Sequence, residues 1–323
     1  MNNDLISIAM ATYNGEKYLR EQLTSIINQT YKNFELIICD DFSTDNTKNI
    51  LQEYANKDSR IKLHFNITNL GFKKNFENTI NYCTGKYIAF CDQDDIWEPY
   101  KLEIALEKIQ NYDIYCSNAL LVDENNCTLN TTMMDYLNIK YIPTSNLKIS
   151  HHLIHHNICQ GATMLCNADF VKQNLPIPNT FPFHDWYFAL LASTQNGFFY
   201  DKSTTLLYRQ HSNAVTGKKK SKNFKELLLM KSNLNSKDEY SKNISICEYI
   251  LSTNYFTSEF YKYIKKCHRY YLKMSTNKDF ATLLFFIRYY NDIIWDKNVI
   301  HKFLLILKRF LGIIRFKINK MRK

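Results

Sequence analysis

Glycine and proline are scarce, with seven and five in a chain of 323 residues. So little turn and linker material excludes collagen-like and disordered classes and argues against a string of small modules. One main domain with an appendage is expected. No Cys-x-x-Cys occurs among the nine cysteines, at 39, 83, 91, 116, 127, 159, 166, 247 and 267. Their odd number and wide scatter speak against a disulfide framework or a cysteine-rich zinc site and point to a reducing cytosol. No stretch reaches the roughly 18 uncharged apolar residues of a spanning helix, and the opening MNNDLISIAM has neither a basic region nor a long apolar core. Neither a signal peptide nor a membrane span is expected.

Acidic residues are missing from one place in particular. From Lys297 onward the chain carries Lys297, Lys302, Lys308, Arg309, Arg315, Lys317, Lys320, Arg322 and Lys323 and no Asp or Glu, which accounts for nearly all of the net charge of +10. The remainder is close to neutral, and its chemistry-bearing loops are acidic, so nucleic acid is disfavoured as a partner. On a helix, His301, Lys308, Arg315 and Arg322 recur every seven residues beside an apolar face from Phe303 to Ile314. Such a helix would lie in the headgroups of an anionic inner membrane surface, or dock on the body of the protein.

What is present is alternation. From Leu5 to about Val122, short apolar runs (Leu5–Met10, Phe34–Cys39, Ile61–Phe65, Tyr87–Cys91, Ile114–Val122) alternate with amphipathic ones (Lys17–Asn28, a stretch capped by Ser43 or Asp45, Lys73–Cys83, and Pro99 to Ile109). This is the mark of β-α units and a mostly parallel central sheet flanked by helices. Residues 123–157 read as polar and irregular with a helix over Leu147–His156. A strand near Ala162–Leu165, a helix near Trp186–Thr194 and a strand near Thr205–Arg209 follow. After Lys218, Lys219, Lys220 and Lys222 the pattern turns helical and aromatic. The expected division is 1–217, an α/β domain, and 218–323, a helical basic region.

Alternation places Asp40, Asp41, Asp92, Asp94 and Asp95 just past the carboxyl ends of strands, the edge where open α/β sheets bind ligands. Crowded carboxylates in Asp92-Gln93-Asp94-Asp95 repel one another unless a cation sits among them, and hard oxygen donors select Mg²⁺ or Mn²⁺. A solvated turn capping the next helix is the alternative. Ala11-Thr12-Tyr13-Asn14-Gly15 and Cys39-Asp40-Asp41-Phe42-Ser43-Thr44-Asp45 could together hold a nucleotide, with Tyr13 packing on a ring and an Asp accepting from base or ribose. Neither G-x-G-x-x-G nor G-x-x-x-x-G-K-[ST] is present, so no glycine loop cradles a phosphate. The histidines 151, 152, 155 and 156 have i, i+4 spacing but no accompanying Glu, and read as a solvated helix face.

Taken together, Ser7 to Leu19 (SIAMATYNGEKYL), Gln29 to Asp41 (QTYKNFELIICDD) and Phe90 to Trp97 (FCDQDDIW) resemble glycosyltransferase family 2, over roughly residues 5–217. Gly161-Ala162-Thr163-Met164, His184-Asp185-Trp186 and Tyr208-Arg209-Gln210-His211 are similar to its rhamnosyltransferase-like branch. Ala162 and Ser212-Asn213-Ala214 depart from that branch, where Cys and Gly-Asn-Asn are frequent. The resemblance implies a GT-A fold and inverting, metal-dependent transfer from a nucleoside-diphosphate sugar to a glycan or lipid-linked acceptor, as in bacterial surface polysaccharide synthesis. It implies Thr12, Tyr13, Asn14 and Asp41 at the nucleotide and Asp92 with Asp94 at the metal-bound diphosphate. Asp185 would be the base, although its place before an apolar run also suits a helix N-cap. His211 is a candidate third metal ligand and Arg209 a candidate phosphate partner. Two other classes compete: a nucleotidyltransferase, whose basic glycine-rich phosphate loop residues 11–17 lack, and a catalytically silent carbohydrate- or lipid-associated binding protein.

Overall fold

The computed structural model describes residues 3–139, 141–211, 237–276 and 280–293, together with Ile306, Arg309 and Phe310. Contacts divide the chain into two compact units, residues 1–137 with 158–218, and residues 138–157 with 219–323. The boundary expected after residue 217 falls outside the described residues, and 138–157 joins the helical unit.

In the first unit, β1 (Ile6–Thr12), β2 (Phe34–Asp40), β3 (Ile61–Phe65) and β4 (Tyr87–Cys91) alternate with α1 (Leu19–Ile27), α2 (Thr47–Ala55) and α3 (Phe72–Tyr82). Strands β1, β2 and β4 are almost entirely buried, as a sheet covered on both faces requires, so they read as unbroken apolar runs. Helix α1 turns Leu19, Leu23 and Ile26 inward at spacings of four and three, onto Ile8, Met10 and Leu36 of the same core. Truncating Leu23 to alanine would cost about 2–5 kcal/mol.

Next come β5 (Ile96–Trp97), α4 (Lys101–Ile109), β6 (Ile114–Val122), β7 (Thr128–Thr132), α5 (Met133–Tyr136), β8 (Met164–Asn167), α7 (Ala168–Gln173), α8 (His184–Thr194) and β9 (Phe198–Arg209). The sheet order is β3-β2-β1-β4-β8-β6-β9-β5, with β7 on β6. Strands β3, β2, β1 and β4 are parallel, but β8 is inserted antiparallel between β4 and β6. The sheet is therefore parallel in its first half and mixed beyond. The order in which strands are added reverses at β1, with β2 and β3 laid down on one side of it and β4 on the other. Such a switch point opens a crevice at the carboxyl edge.

The second unit contains α6 (Asn146–Leu153), α9 (Lys237–Ser252), α10 (Ser258–Thr276), α11 (Phe280–Arg288) and α12 (Tyr290–Ile293). Here the solvated histidine face is corrected, because His152 and His155 are buried. His151 stacks on Tyr263 at 3.7 Å between centroids, and His152 Nδ1 lies 2.8 Å from the Asp292 carbonyl. His155 contacts the Tyr271 hydroxyl through Nδ1 and the Tyr263 hydroxyl at 2.8 Å through Nε2. Helix spacing shows which histidines share a face; it does not show that an aromatic helix supplies their partners. Most of the basic tail lies outside the described residues. Of those described, Arg309 lies over the Phe286 ring and donates to the Tyr270 hydroxyl at 2.8 Å, and Ile306 packs on Phe286, Tyr290 and Ile293.

Burial, with the neighbouring His156, lowers the His152 pKa to about 3, and burial with Lys242 and Arg309 lowers that of His156 to about 4. The unfolded chain titrates near 6.5, so it takes up protons first as pH falls, and stability present above about 6.5 is lost towards 4. Each histidine removes roughly 1–2 kcal/mol by pH 5. Hydrogen exchange in 258–276, corrected for intrinsic rates, should accelerate between pH 7.5 and 5.5. Protection unchanged over that range would contradict these neutral histidines.

Candidate active site

Two loops knit together beyond β1 and β2. The Asp40 carboxylate accepts from Thr12 Oγ1 at 3.1 Å, Ser43 N at 2.9 Å and Ser43 Oγ at 2.5 Å. Asn14 N donates to Ser43 Oγ and its side-chain oxygen accepts from Thr44 N, both at 2.8 Å. Gly15 N reaches Thr47 Oγ1 at 2.8 Å, and Asp45 receives Glu16 N and the helix-start Thr47 N. Asn14 and Phe42 sit at φ of 46° and 67°. For Phe that conformation is uncommon and persists only where surroundings impose it. Its result is an exposed ring, and the Tyr13 ring of the facing loop is exposed too, with Tyr13 47% and Phe42 46% accessible.

Of the residues expected at a nucleotide, Tyr13 and Asn14 lie on this open edge, whereas Thr12 is buried and turned onto Asp40. Asp41 is also buried. Its carboxylate accepts from Asn66 Nδ2 at 2.9 Å and from Leu70 N and Gly71 N at 2.8 Å. It thereby fixes the loop that closes the edge beyond β3.

The Asp92–Asp95 loop leaves β4 across the crevice. Among the described residues, the Asp92 carboxylate receives no hydrogen bond. Burial, then the like charges of Asp94 and Asp185, push its carboxyl up to about 7. Asp94 Oδ2 is 2.8 Å from His211 Nε2, and the His211 ring packs on Tyr18. Asp95 is buried and ties the end of β9 by accepting Arg209 N at 3.0 Å. Arg209, expected at a phosphate, is engaged within the protein in this structure. It is buried, its Nε donates to the Asp94 carbonyl at 2.7 Å, Nη2 reaches Glu21 at 2.5 Å, Nη1 meets Asn126, and it lies over Tyr18. A guanidinium already spent on these partners has little left for an anion.

Asp185 is the second residue of α8, whose N-cap is Phe183, so it does not cap the helix. Its carboxylate nevertheless accepts Trp186 N at 2.5 Å and Gly161 N at 3.0 Å, which fixes its orientation. The preceding His184 is wedged between Phe76 and Phe90, with both ring nitrogens buried and, among the described residues, without a hydrogen-bond partner. Burial lowers its pKa to about 3. A Cβ on Gly161 would lie 2.5 Å from its Nε2, so glycine there lets the 161–163 turn approach. The turn carrying Gly161 was legible only as a motif; its amide's service to Asp185 was not.

A divalent cation fits this donor set. Among the described residues no group of three or more His, Cys, Asp or Glu forms a ready cage. Magnesium sites typically rest on one or two carboxylates plus substrate phosphates. The undonated Asp92 carboxylate, raised first by burial and then by two neighbouring negative charges, is short of positive charge in the way such a site requires. Asp94, whose charge reaches it, is in turn paired with His211.

The chain matches the family described as Glycosyl transferase family 2 over residues 7–170, about half its length. It is 33% identical over 228 residues to a dTDP-rhamnosyl transferase, RfbG, of Shigella flexneri, covering 64% of this chain and 73% of that one. Other curated relatives are matched over 44% and 51% of their own length. Among solved structures, S. aureus TarS 1-349 in complex with UDP superposes with a TM-score of 0.55 at 20% identity, covering 89% of this chain and 79% of that one. The mannosyltransferase PcManGT of Pyrobaculum calidifontis, in complex with GDP-Man and Mn²⁺, gives 0.54 at 13% identity, covering 96% and 80%. At these identities the two structures speak for the fold alone. With sequence and fold in agreement, the chain belongs to glycosyltransferase family 2 and is a glycosyltransferase of GT-A fold.

Proposed function

We propose that the first unit, within residues 1–217, transfers a sugar from a nucleoside-diphosphate sugar to a hydroxyl of a glycan or lipid-linked acceptor, with inversion and with help from Mg²⁺ or Mn²⁺. The observation that carries this reading is the loop past β4 at the switch-point crevice, where the Asp92 carboxylate accepts no hydrogen bond among the described residues and Asp94 pairs with His211. Tyr13 and Asn14 receive the nucleotide, within a loop frame held by Thr12, Asp40 and Asp41. Asp92 and Asp94, with His211, would hold the metal, which when bound would neutralise charge growing on the leaving diphosphate. Arg209 braces that loop from behind. Asp185, oriented by two backbone N–H groups, takes the proton of the attacking hydroxyl. Attack opposite the leaving group inverts the anomeric carbon.

The helical region, 218–323, is the part we assign to the acceptor's surroundings. Its basic tail would rest on the cytoplasmic face of an anionic membrane, where a lipid-linked acceptor in surface polysaccharide synthesis would be found. No described helix is long and apolar enough to cross a membrane. Salt-sensitive co-sedimentation with anionic vesicles, lost when Lys308, Arg315, Lys320 and Arg322 are changed to Glu, would support this; identical sedimentation of both proteins would reject it.

The reaction itself is tested with full-length protein and the donors named for relatives and structural neighbours: dTDP-rhamnose, UDP-glucose, UDP-GlcNAc and GDP-mannose. Mass spectrometry should find one donor consumed in Mn²⁺ and spared in EDTA, with the product's anomeric configuration inverted by NMR. Consumption of none, or retention, would overturn the reading.

A further inference from the structure

Strand pairing between β1 and β4 ends at Met10 opposite Cys91. Past that point the two chains separate to form the crevice, and one side chain continues the ladder across it. Gln93 Nε2 donates to the Tyr13 carbonyl at 3.0 Å, while Tyr13 N donates to Gln93 Oε1 at 2.9 Å. A primary amide reproduces both groups of a peptide bond, so Gln93 pairs with Tyr13 as a neighbouring strand residue would. Gln93 lies between Asp92 and Asp94. Tyr13 adjoins Asn14, which is hooked to Ser43 and Thr44.

Gly15 completes the arrangement. A Cβ there would lie 2.3 Å from Gln93 Oε1 and 2.6 Å from its amide carbon. Its backbone is not in the left-handed region, so glycine is needed for the space it leaves, not for its conformation.

We propose that Gln93 is a positioning residue that sets the distance between the nucleotide loop and the metal-binding carboxylates, and that Gly15 is glycine to admit its amide. This rests on the donor-site reading given under the proposed function. Broken, the pairing leaves two half-sites that must be ordered by the ligand itself, so affinity for a ligand spanning both is lost. Two hydrogen bonds of ordinary net strength correspond to about tenfold.

The test is a double-mutant cycle read by calorimetry, titrating UDP, dTDP and GDP into full-length protein with Mn²⁺ present. Gln93→Ala should weaken binding about tenfold. Gly15→Ala, which displaces the amide without removing it, should do the same. The double variant should also lose about tenfold, because nothing remains to displace. With the donor, KM should rise while kcat stays within about threefold, and the melting temperature of each variant should fall by only a few degrees. Affinity unchanged in Gln93→Ala, or losses that multiply to about a hundredfold in the double variant, would overturn the proposal. Failure of wild type to bind any of the three nucleotides would overturn the donor-site reading first, and this inference with it.

Discussion

Alanine in place of Asp94 is expected to reduce metal-dependent transfer by about a thousandfold or more, equivalent to ~4 kcal/mol of transition-state stabilisation. The diphosphate leaving group carries its charge away from the sugar, and a metal held against it removes most of the penalty. Without Asp94, His211 loses its carboxylate and the cation loses an oxygen ligand. The fold should not suffer, because the Asp94 side chain is 23% exposed and, among the described residues, its hydrogen-bond partner is His211. Asp92→Ala should lose less. In metal-free protein, Asp92→Asn should raise the melting temperature, since it relieves crowding among like charges. Initial rates across an Mn²⁺ titration, with thermal melts of the same samples, check this. Near-wild-type turnover of Asp94→Ala at limiting Mn²⁺ would refute the metal assignment.

Asp185→Asn should be as damaging by another route, lowering kcat by about a thousandfold while nucleoside-diphosphate affinity stays within about threefold. An amide cannot take a proton from an acceptor hydroxyl. Some stability is expected to go as well. Both Asp185 oxygens accept backbone N–H groups, so the asparagine NH₂ must face one of those donors, at a cost of about 1–3 kcal/mol. That is larger than an exposed cap would predict, yet far too small to unfold the chain and mimic the loss of kcat. Donor affinity falling as far as in Asp94→Ala would place Asp185 in the metal site instead.

The first half of the sheet was legible because each of its strands is a short buried run that period and turn chemistry isolate. Phe34–Asp40, Ile61–Phe65 and Tyr87–Cys91 fall within a residue of where alternation puts them. Neighbour choice is not local, so the antiparallel insertion of β8 and the pairing of β7 on β6 were not readable. Pro99 was placed in the first turn of a helix; the helix instead begins at Lys101, because Ile96–Trp97 is drawn into pairing with β9. In the site, carboxylates at strand ends announced themselves by type and spacing. Arg209 did not reveal its partners, since Glu21, Asn126 and the Asp94 carbonyl are far from it in sequence. Gln93 was visible only as the x of a D-x-D; its bond to Tyr13 spans 80 positions. Patterns identify charge and period, and long-range hydrogen-bond partners lie beyond both.

Anomalous diffraction at the manganese edge, from crystals of the full-length protein grown with MnCl₂ and the nucleoside diphosphate released in the transfer assay, tests the central claim most directly. The account predicts one strong peak within ~2.5 Å of carboxylate oxygen from Asp92 or Asp94 and of the nucleotide's diphosphate, with the base against Tyr13. A peak away from this loop, or a nucleotide bound with its phosphates elsewhere, would contradict it.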